Sequence, residues 1–402
     1  MPRPDRPRHG AWWRTRPHPA PLPQRGTPAV PRVGTARAAE QRAEERDREE
    51  LVRGYQIRQL LEVPMSGGVD LTIGYELPDT GLMESPGALV AAARAAEAAG
   101  VDYLVFPDRP AMGTRRAGPP AAVIAAPWIA AQTSRIGLVV TGSTAYHEPY
   151  HLARMVASLD HVSAGRAGWQ VVTGPDYLAD ANHRREGVDP AARREDRAAE
   201  YVPVVRDLWD SWEDGAFVRD KATGQFLDED RIHVLDHVGP TLHVRGPLNL
   251  ARPPQGHPVV FASVTDRPVA PTADVLIVGD QTPEHRADAD QPHVLAVVPF
   301  VGRTGEHAAE LHARAGAPRG DHERAVVVGD PDEVTEHLSR CAVAGLTVRF
   351  PDPSQVAVFT DEVLPRLRPV PSGRSDVLRD RLGLPPAANR FTAEAATSAE
   401  RS

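Results

Sequence analysis

A run of polar and aromatic residues between positions 141 and 154 offers the densest potential chemistry in the sequence. It closes an apolar stretch typical of a strand and opens a stretch with helical periodicity. Pro149 fits the first turn of that helix, where a backbone N–H has no partner in any case. Tyr150 and His151 lie off the apolar stripe of the helix, so both are candidates for acid–base or hydrogen-bonding catalysis. The alternative is that Tyr150 and His151 have only a structural role, forming hydrogen bonds at the rim of the fold.

His147 and His151 are four residues apart, a spacing that is also found in metal-binding pairs. Pro149 lies between them, and the sequence lacks the HExxH motif that would strengthen this interpretation. We therefore expect no metal site, although a metal-dependent hydrolase stays open as an alternative.

Other polar residues follow the predicted strands. Asp108 follows the second strand, where it could act in a site or simply pair with Arg109. Thr173 ends the fourth strand. Ser263 and Thr265 close the fifth, where hydroxyl and backbone N–H groups could hold a phosphate.

The composition excludes several classes of protein. A single cysteine, Cys341, excludes an intramolecular disulfide and any multi-thiolate metal cluster. The only lysine, Lys221, lies in a polar stretch typical of a surface loop, which excludes phosphate-binding GK[ST] loops and pyridoxal Schiff bases. The net charge of −8 argues against a nucleic-acid partner, and no apolar run is long enough to cross a membrane. We expect a cytoplasmic protein.

The chain divides into three parts. Residues 1–68 begin with a Pro- and Arg-rich stretch that cannot build a core and is expected to be disordered, followed by a solvated helix over about 36–62. Residues 69–369 form the folded domain, and residues 370–402 form a C-terminal tail.

Within the folded domain, short apolar strands alternate with amphipathic helices, which is typical of βαβ units. The predicted strands are 69–75, 102–107, 135–142, 167–173, 258–264, 273–279, 293–298 and 346–350. The predicted helices lie near 86–99, 119–132, 149–162, 191–212, 303–315, 331–344 and 354–368. Eight strands and nearly as many helices predict an α/β fold of the (β/α)₈ TIM-barrel type, with its site at the carboxyl ends of the strands.

Two regions depart from a regular barrel. Residues 213–257 form an insertion after strand four, and the region around strands five to seven is shortened, with little helix possible in 265–272. A doubly wound sheet is the alternative, but no GxGxxG motif follows the first strand.

Two segments of the sequence have specific motifs: residues 143–154 read STAYHEPYHLAR and residues 165–173 read GRAGWQVVT. Together they resemble the bacterial-luciferase superfamily, and most closely its nitrilotriacetate and dibenzothiophene-sulfone monooxygenases. Further matching segments occur in the order of the family at 208–212, 244–249, 254–258, 301–304, 328–331 and 378–385.

The resemblance implies a flavin-dependent, two-component monooxygenase built on a (β/α)₈ barrel. In this family reduced FMN comes from a separate NAD(P)H:flavin reductase, reacts with oxygen to form a C4a-hydroperoxide, and oxygenates a small organic substrate. A homo-oligomer is expected for such a barrel. A barrel that has lost turnover and only binds, or a deazaflavin-dependent oxidoreductase of the same superfamily, are the alternatives.

The resemblance also assigns residues. The matches to the family's catalytic and flavin-contacting positions are Asp108, Ser143, Thr144, Tyr150, His151, Thr173 and Asn182. Two positions differ: Gln170 replaces an asparagine and Gly174 replaces a serine. At the phosphate turn, the family's Gly-Ser-Ser is replaced by a segment whose available donors are Ser263, Thr265 and Arg267. The carboxylate of Asp266, in the same segment, would oppose these donors by repelling a phosphate.

Overall fold

The structure is a computed structural model. It describes residues 71–78, 86–109, 111, 120–183, 192–279, 291–315, 324–368 and 374–392. The predicted N-terminal extension and its helix lie outside the described residues.

Eight parallel strands close into a barrel, so the predicted (β/α)₈ fold is confirmed. In order around the barrel they are β1 (Thr72–Glu76), β2 (Tyr103–Phe106), β3 (Gly137–Ser143), β4 (Ala167–Val172), β7 (Val259–Ser263), β8 (Val275–Val278), β9 (His293–Val301) and β11 (Gly345–Arg349). The last of these pairs with the first, with Glu76 opposite Arg349. All eight predicted strands are present.

Helices connect the strands. They are α1 (Pro86–Ala98), α2 (Ala122–Ala130), α3 (Pro149–Ser163), α4 (Tyr177–Asn182), α5 (Arg194–Asp210), α6 (Gly305–Ala315), α7 (Pro331–Ser339), α8 (Pro353–Val358), α9 (Leu364–Leu367) and α10 (Leu378–Arg381). The helix predicted at 354–368 is split by a π-helical turn, Phe359–Val363. The helix predicted to reach residue 344 ends at Ser339 instead.

Both irregular regions are confirmed. The insertion at 213–257 contains one 3-10 turn and a short antiparallel hairpin, β5 (His237–Val238) with β6 (His243–Val244). Between β7 and β8 there is only the 3-10 turn Ala270–Thr272. A further strand that was not predicted, β10 (Ala325–Gly329), pairs with the second half of β9.

Side chains alternate between the barrel interior and the surrounding helices. In β3, Leu138 and Val140 belong to the large core between strands and helices, whereas Val139 belongs to a second core inside the barrel. Because the side-chain period of a strand is two, Thr141 and Ser143 share the inward face with Val139. The inward positions of β3 therefore change from apolar to polar toward its carboxyl end.

Apolar side chains fill the barrel interior at the amino-terminal ends of the strands. Tyr103 fills the space beside Gly74, where a Cβ atom would lie 2.1 Å from its ring. Below this layer, Leu378, Leu382 and Leu384 from residues 374–392 join the inner core. The predicted C-terminal tail thus contains a segment that seals the amino-terminal end of the barrel.

Candidate functional site

A cavity of about 290 Å³ lies at the carboxyl ends of β2, β3 and β4. Its lining comes from the strand ends, the turn after β3 and the start of α4. The lining residues are Asp108, Arg109, Ala111, Thr141, Gly142, Ser143, Tyr146, His147, Val172, Gly174, Asp176 and Leu178. This is the end of the barrel where the sequence predicts the site.

The lining of the cavity combines polar and apolar side chains. Thr141, Ser143 and His147 provide hydroxyl and imidazole groups, while Val172 on the neighbouring strand β4 and Leu178 on α4 provide apolar surface. Such a combination suits a ligand that has apolar faces and a polar edge.

Asp108 is fixed at the edge of this cavity. Its backbone N–H donates to the Thr141 hydroxyl, at 2.6 Å. Burial raises the pKa of the Asp108 carboxyl above its usual range, and the nearby His147 acts in the opposite direction. A carboxyl group with a raised pKa beside an imidazole is a typical arrangement for moving a proton.

Tyr146 is held by residues of α4 and α5. Its hydroxyl donates to the Asp180 carboxylate at 2.7 Å, and the same carboxylate accepts from Arg194 at 2.8 Å. Its ring lies against His183, with centroids 4.7 Å apart. Burial, together with the bond to Asp180, raises the pKa of the Tyr146 hydroxyl. Tyr146 therefore stays protonated at neutral pH.

His147 is held through both its ring and its main chain. Its Nδ1 lies 3.2 Å from the Ser143 carbonyl oxygen. If Nδ1 carries the proton in this contact, Nε2 is left as an acceptor. The His147 carbonyl oxygen in turn accepts from Arg197 and Tyr201, both at 3.1 Å.

The structure brings some of the sequence-predicted residues to this cavity and places others elsewhere. Asp108 and Ser143 line it. Thr144 is fully buried next to Ser143, and its hydroxyl has no hydrogen-bond partner. Tyr150 is half-buried and packs partly against the outer core, and His151 is exposed on α3. Neither of the last two residues is among those that line the cavity.

The remaining predicted residues lie around the neighbouring strand ends. Gln170 is half-buried at the inward face of β4, and Asn182 is exposed at the end of α4. The Thr173 hydroxyl donates to the Asp266 carboxylate at 2.5 Å, which joins the ends of β4 and β7. Thr173 is thus engaged with the acidic residue of the predicted phosphate turn.

The predicted phosphate turn follows β7. The Ser263 and Thr265 hydroxyls lie 2.7 Å apart, and the Thr265 N–H donates to the Ser263 hydroxyl at 3.2 Å. Arg267 is exposed. The turn leads to the single 3-10 turn described above rather than to an α-helix, so the helix dipole that usually favours a phosphate is weak here.

Of the twelve lining residues, only Asp108 and Ser143 were assigned to flavin binding or catalysis from the sequence, and those missed include Tyr146, His147 and Asp176. They belong to, or contact, the turn that joins β3 to α3. Their position directly after a strand was the available signal, since residues at the carboxyl ends of barrel strands face the site.

The described parts of the chain hold no group of three or more histidine, cysteine or acidic side chains arranged to bind a metal ion. Among the helices described, none has the length and apolar character needed to cross a bilayer.

Comparisons with known proteins identify the family. The family model for luciferase-like monooxygenases matches residues 71–308. The chain is 46% identical over 158 residues to nitrilotriacetate monooxygenase component A from Aminobacter aminovorans, covering 38% of this chain and 35% of that protein. It is 39% identical over 227 residues to one of the subunits of pristinamycin IIA synthase from Streptomyces pristinaespiralis, covering 56% of this chain and 75% of that protein.

The fold also resembles that of solved structures. The solved structure of an EDTA monooxygenase from Chelativorans superposes with a TM-score of 0.65 at 22% identity, covering 78% of this chain and 98% of the other. The sequence matches span 35% of the nitrilotriacetate enzyme and 40% of N-acetyl-S-(2-succino)cysteine monooxygenase from Bacillus subtilis. The barrel, the motifs and the match over residues 71–308 together show that this chain belongs to the luciferase-like monooxygenase family.

Proposed function

We propose that this protein is a monooxygenase that uses reduced FMN and molecular oxygen to oxygenate a small organic molecule. The observation that carries the proposal is the cavity at the carboxyl ends of β2, β3 and β4, where Asp108, Ser143, Tyr146 and His147 converge. Family membership supports flavin chemistry, and the cavity supplies a place for it.

The ring system of FMN fits the character of this cavity. An isoalloxazine has two apolar faces and an edge of alternating donors and acceptors. The lining offers both kinds of contact, with apolar surface at Val172 and Leu178 and polar groups at Thr141, Ser143 and His147. In the same turn, the Thr144 hydroxyl is buried without a hydrogen-bond partner next to the lining residue Ser143. Buried hydroxyl groups without a hydrogen-bond partner are uncommon in folded proteins, and a role in a functional site is one explanation for them.

The phosphate of FMN fits less well. Ser263, Thr265 and Arg267 would supply its donors, whereas the Asp266 carboxylate between them would repel it. We therefore expect FMN to bind weakly.

When bound, reduced FMN would supply the two electrons and the carbon at which oxygen is activated. The protein's own residues have narrower tasks. Asp108 and His147 would hold or accept a proton at the cavity edge. The Tyr146 hydroxyl donates its hydrogen bond to Asp180, so its oxygen would be available there as an acceptor. Val172 and Leu178 would exclude water from the reacting atoms.

The relatives' names support a two-component system. One relative is called a component and another is a subunit of a synthase, so each acts with at least one other polypeptide. We propose that a separate NAD(P)H:flavin reductase delivers reduced FMN to this chain, and that the chain acts as a homo-oligomer.

Titration with FMN tests the first step of the proposal. Quenching of flavin fluorescence should saturate, and His147→Ala should weaken it, whereas Arg154→Ala on the exposed face of α3 should not. Reduced FMN and oxygen supplied with small organic acids, sulfides and sulfones should then give an oxygenated product. Saturable FMN binding without turnover on any substrate would favour a barrel that only binds, and no FMN binding at all would overturn the proposal.

A further inference from the structure

The end of β3 and the turn that joins it to α3 carry three of the side chains that line the cavity, Ser143, Tyr146 and His147. Local hydrogen bonds satisfy main-chain N–H groups of the turn, such as the His147 N–H, which donates to the Ser143 carbonyl oxygen at 3.3 Å. The Thr144 and His147 carbonyl groups precede the first turn of α3, so neither accepts a bond inside that helix. Such carbonyl groups need partners from elsewhere in the fold.

Helix α5 supplies those partners. Arg197 Nε donates to the Thr144 carbonyl oxygen at 2.8 Å, and its NH2 group donates to the His147 carbonyl oxygen at 3.1 Å. One turn further along, the Tyr201 hydroxyl donates to the same His147 oxygen at 3.1 Å. Three hydrogen bonds from two side chains therefore fix two main-chain carbonyls of the turn.

The two side chains support each other. Tyr201 is fully buried, and the Arg197 guanidinium lies over its ring at 5.7 Å from the centroid. The Arg197 side chain is 20% exposed, and its Nη2 atom also forms an ion pair with the Glu148 carboxylate at 3.5 Å. A guanidinium can reach two carbonyls at once because its donors are arranged in a rigid fork, whereas the compact ammonium of lysine acts as a single point.

We propose that Arg197 and Tyr201 are positioning residues for flavin binding: they hold the turn that presents Ser143, Tyr146 and His147 without lining the cavity themselves. This inference rests on the proposed function. It predicts that α5 influences the affinity for FMN through backbone hydrogen bonds rather than by contact with the ligand.

Two variants separate this role from general stability. Arg197→Lys keeps the positive charge but loses the fork, and Tyr201→Phe removes one hydroxyl while the ring stays in the core. Arg154→Lys, on the exposed face of α3, is the matched control. The readouts are hydrogen exchange of the peptide spanning 143–148 in the ligand-free protein, the dissociation constant for FMN, and the melting temperature.

The expected result is local. Arg197→Lys should accelerate exchange in residues 143–148 and raise the FMN dissociation constant, each by about tenfold, and Tyr201→Phe should do so by about fivefold, in line with the free energy of one or two hydrogen bonds. Exchange in residues 204–210 should not change, and the melting temperature should stay within about 2 °C of the parent.

Three results would overturn the inference. Unchanged exchange in residues 143–148 shows that α5 does not hold the turn. Accelerated exchange with an unchanged FMN dissociation constant shows that the turn does not position the flavin. Absence of FMN binding in the parent protein overturns the proposed function and this inference with it, while the exchange data still report whether α5 holds the turn.

Discussion

Neutralising Asp266 should tighten FMN binding. The Asp266 carboxylate lies in the turn that would hold the phosphate, and it already accepts a hydrogen bond from Thr173. Asp266→Asn removes the charge and keeps an oxygen that can accept that bond. Two unit charges about 7 Å apart repel by about 2 kcal/mol at an effective dielectric constant of about 20. Solvent screening at this half-buried position reduces the effect to about 1–2 kcal/mol, or about a five- to thirtyfold gain in affinity.

Calorimetric titration measures this effect. We expect the parent protein to bind FMN with a dissociation constant of tens of micromolar or weaker. Its phosphate turn lacks about two of the hydrogen-bond donors of the family's Gly-Ser-Ser turn, a loss of about 3–6 kcal/mol of binding free energy. Riboflavin, which lacks the phosphate, is the control ligand, and its affinity should not respond to Asp266→Asn. Asp220→Asn, a charge-matched change in an exposed loop, is the control variant. Submicromolar binding by the parent, no gain in Asp266→Asn, or an equal gain for riboflavin would refute the reasoning.

Three further predictions follow from the described side chains. Leu378→Ala should lower the free energy of unfolding by about 2–5 kcal/mol in urea denaturation, because Leu378 is fully buried in the inner core, whereas Val162→Ala at an exposed position should change it little. His147→Ala should lower turnover by about 100-fold or more at an unchanged melting temperature, and a loss of that size in His151→Ala instead would show that the site forms around His151. Asp108→Asn should raise the melting temperature at pH 7. Burial raises the pKa of the Asp108 carboxyl in the folded protein. Its ionisation therefore destabilises the fold at pH values above the pKa that the same carboxyl has in the unfolded chain. This cost vanishes at low pH, where the carboxyl is protonated in both states. A lower melting temperature of Asp108→Asn at pH 7 would mean that the carboxylate is structural.

The barrel could be predicted from the sequence because buried parallel strands are short apolar runs, and each of the eight runs is a strand. The strand β10 was missed although its residues, AVVVG, form a similar apolar run. It pairs with only part of β9, outside the closed barrel, so the count of eight barrel strands gave no reason to expect it.

The site was predicted only in part, and the reason is the distance between its partners along the chain. Asp108 and Ser143 follow directly from strand ends. Tyr146 depends on Asp180, 34 positions later, and the turn depends on Arg197. Helical phase alone placed Tyr150 off the apolar stripe, yet it packs partly against the outer core. Periodicity reports which face of a helix is buried and carries no information about which polar groups meet.

The seal formed by residues 374–392 has a consequence for biosynthesis. These residues are translated after every strand, and β1 pairs with a strand about 270 positions later. While the polypeptide is still on the ribosome, the earlier strands can pair with one another, but the barrel cannot close and its inner apolar side chains have no cover. Contacts over such long separations form slowly, and exposed apolar strands are prone to aggregate in the meantime. The nascent chain should therefore depend most on chaperones in the interval between the emergence of β9 and the release of Leu378. A chain truncated before Leu378 should aggregate rather than fold into a smaller stable barrel.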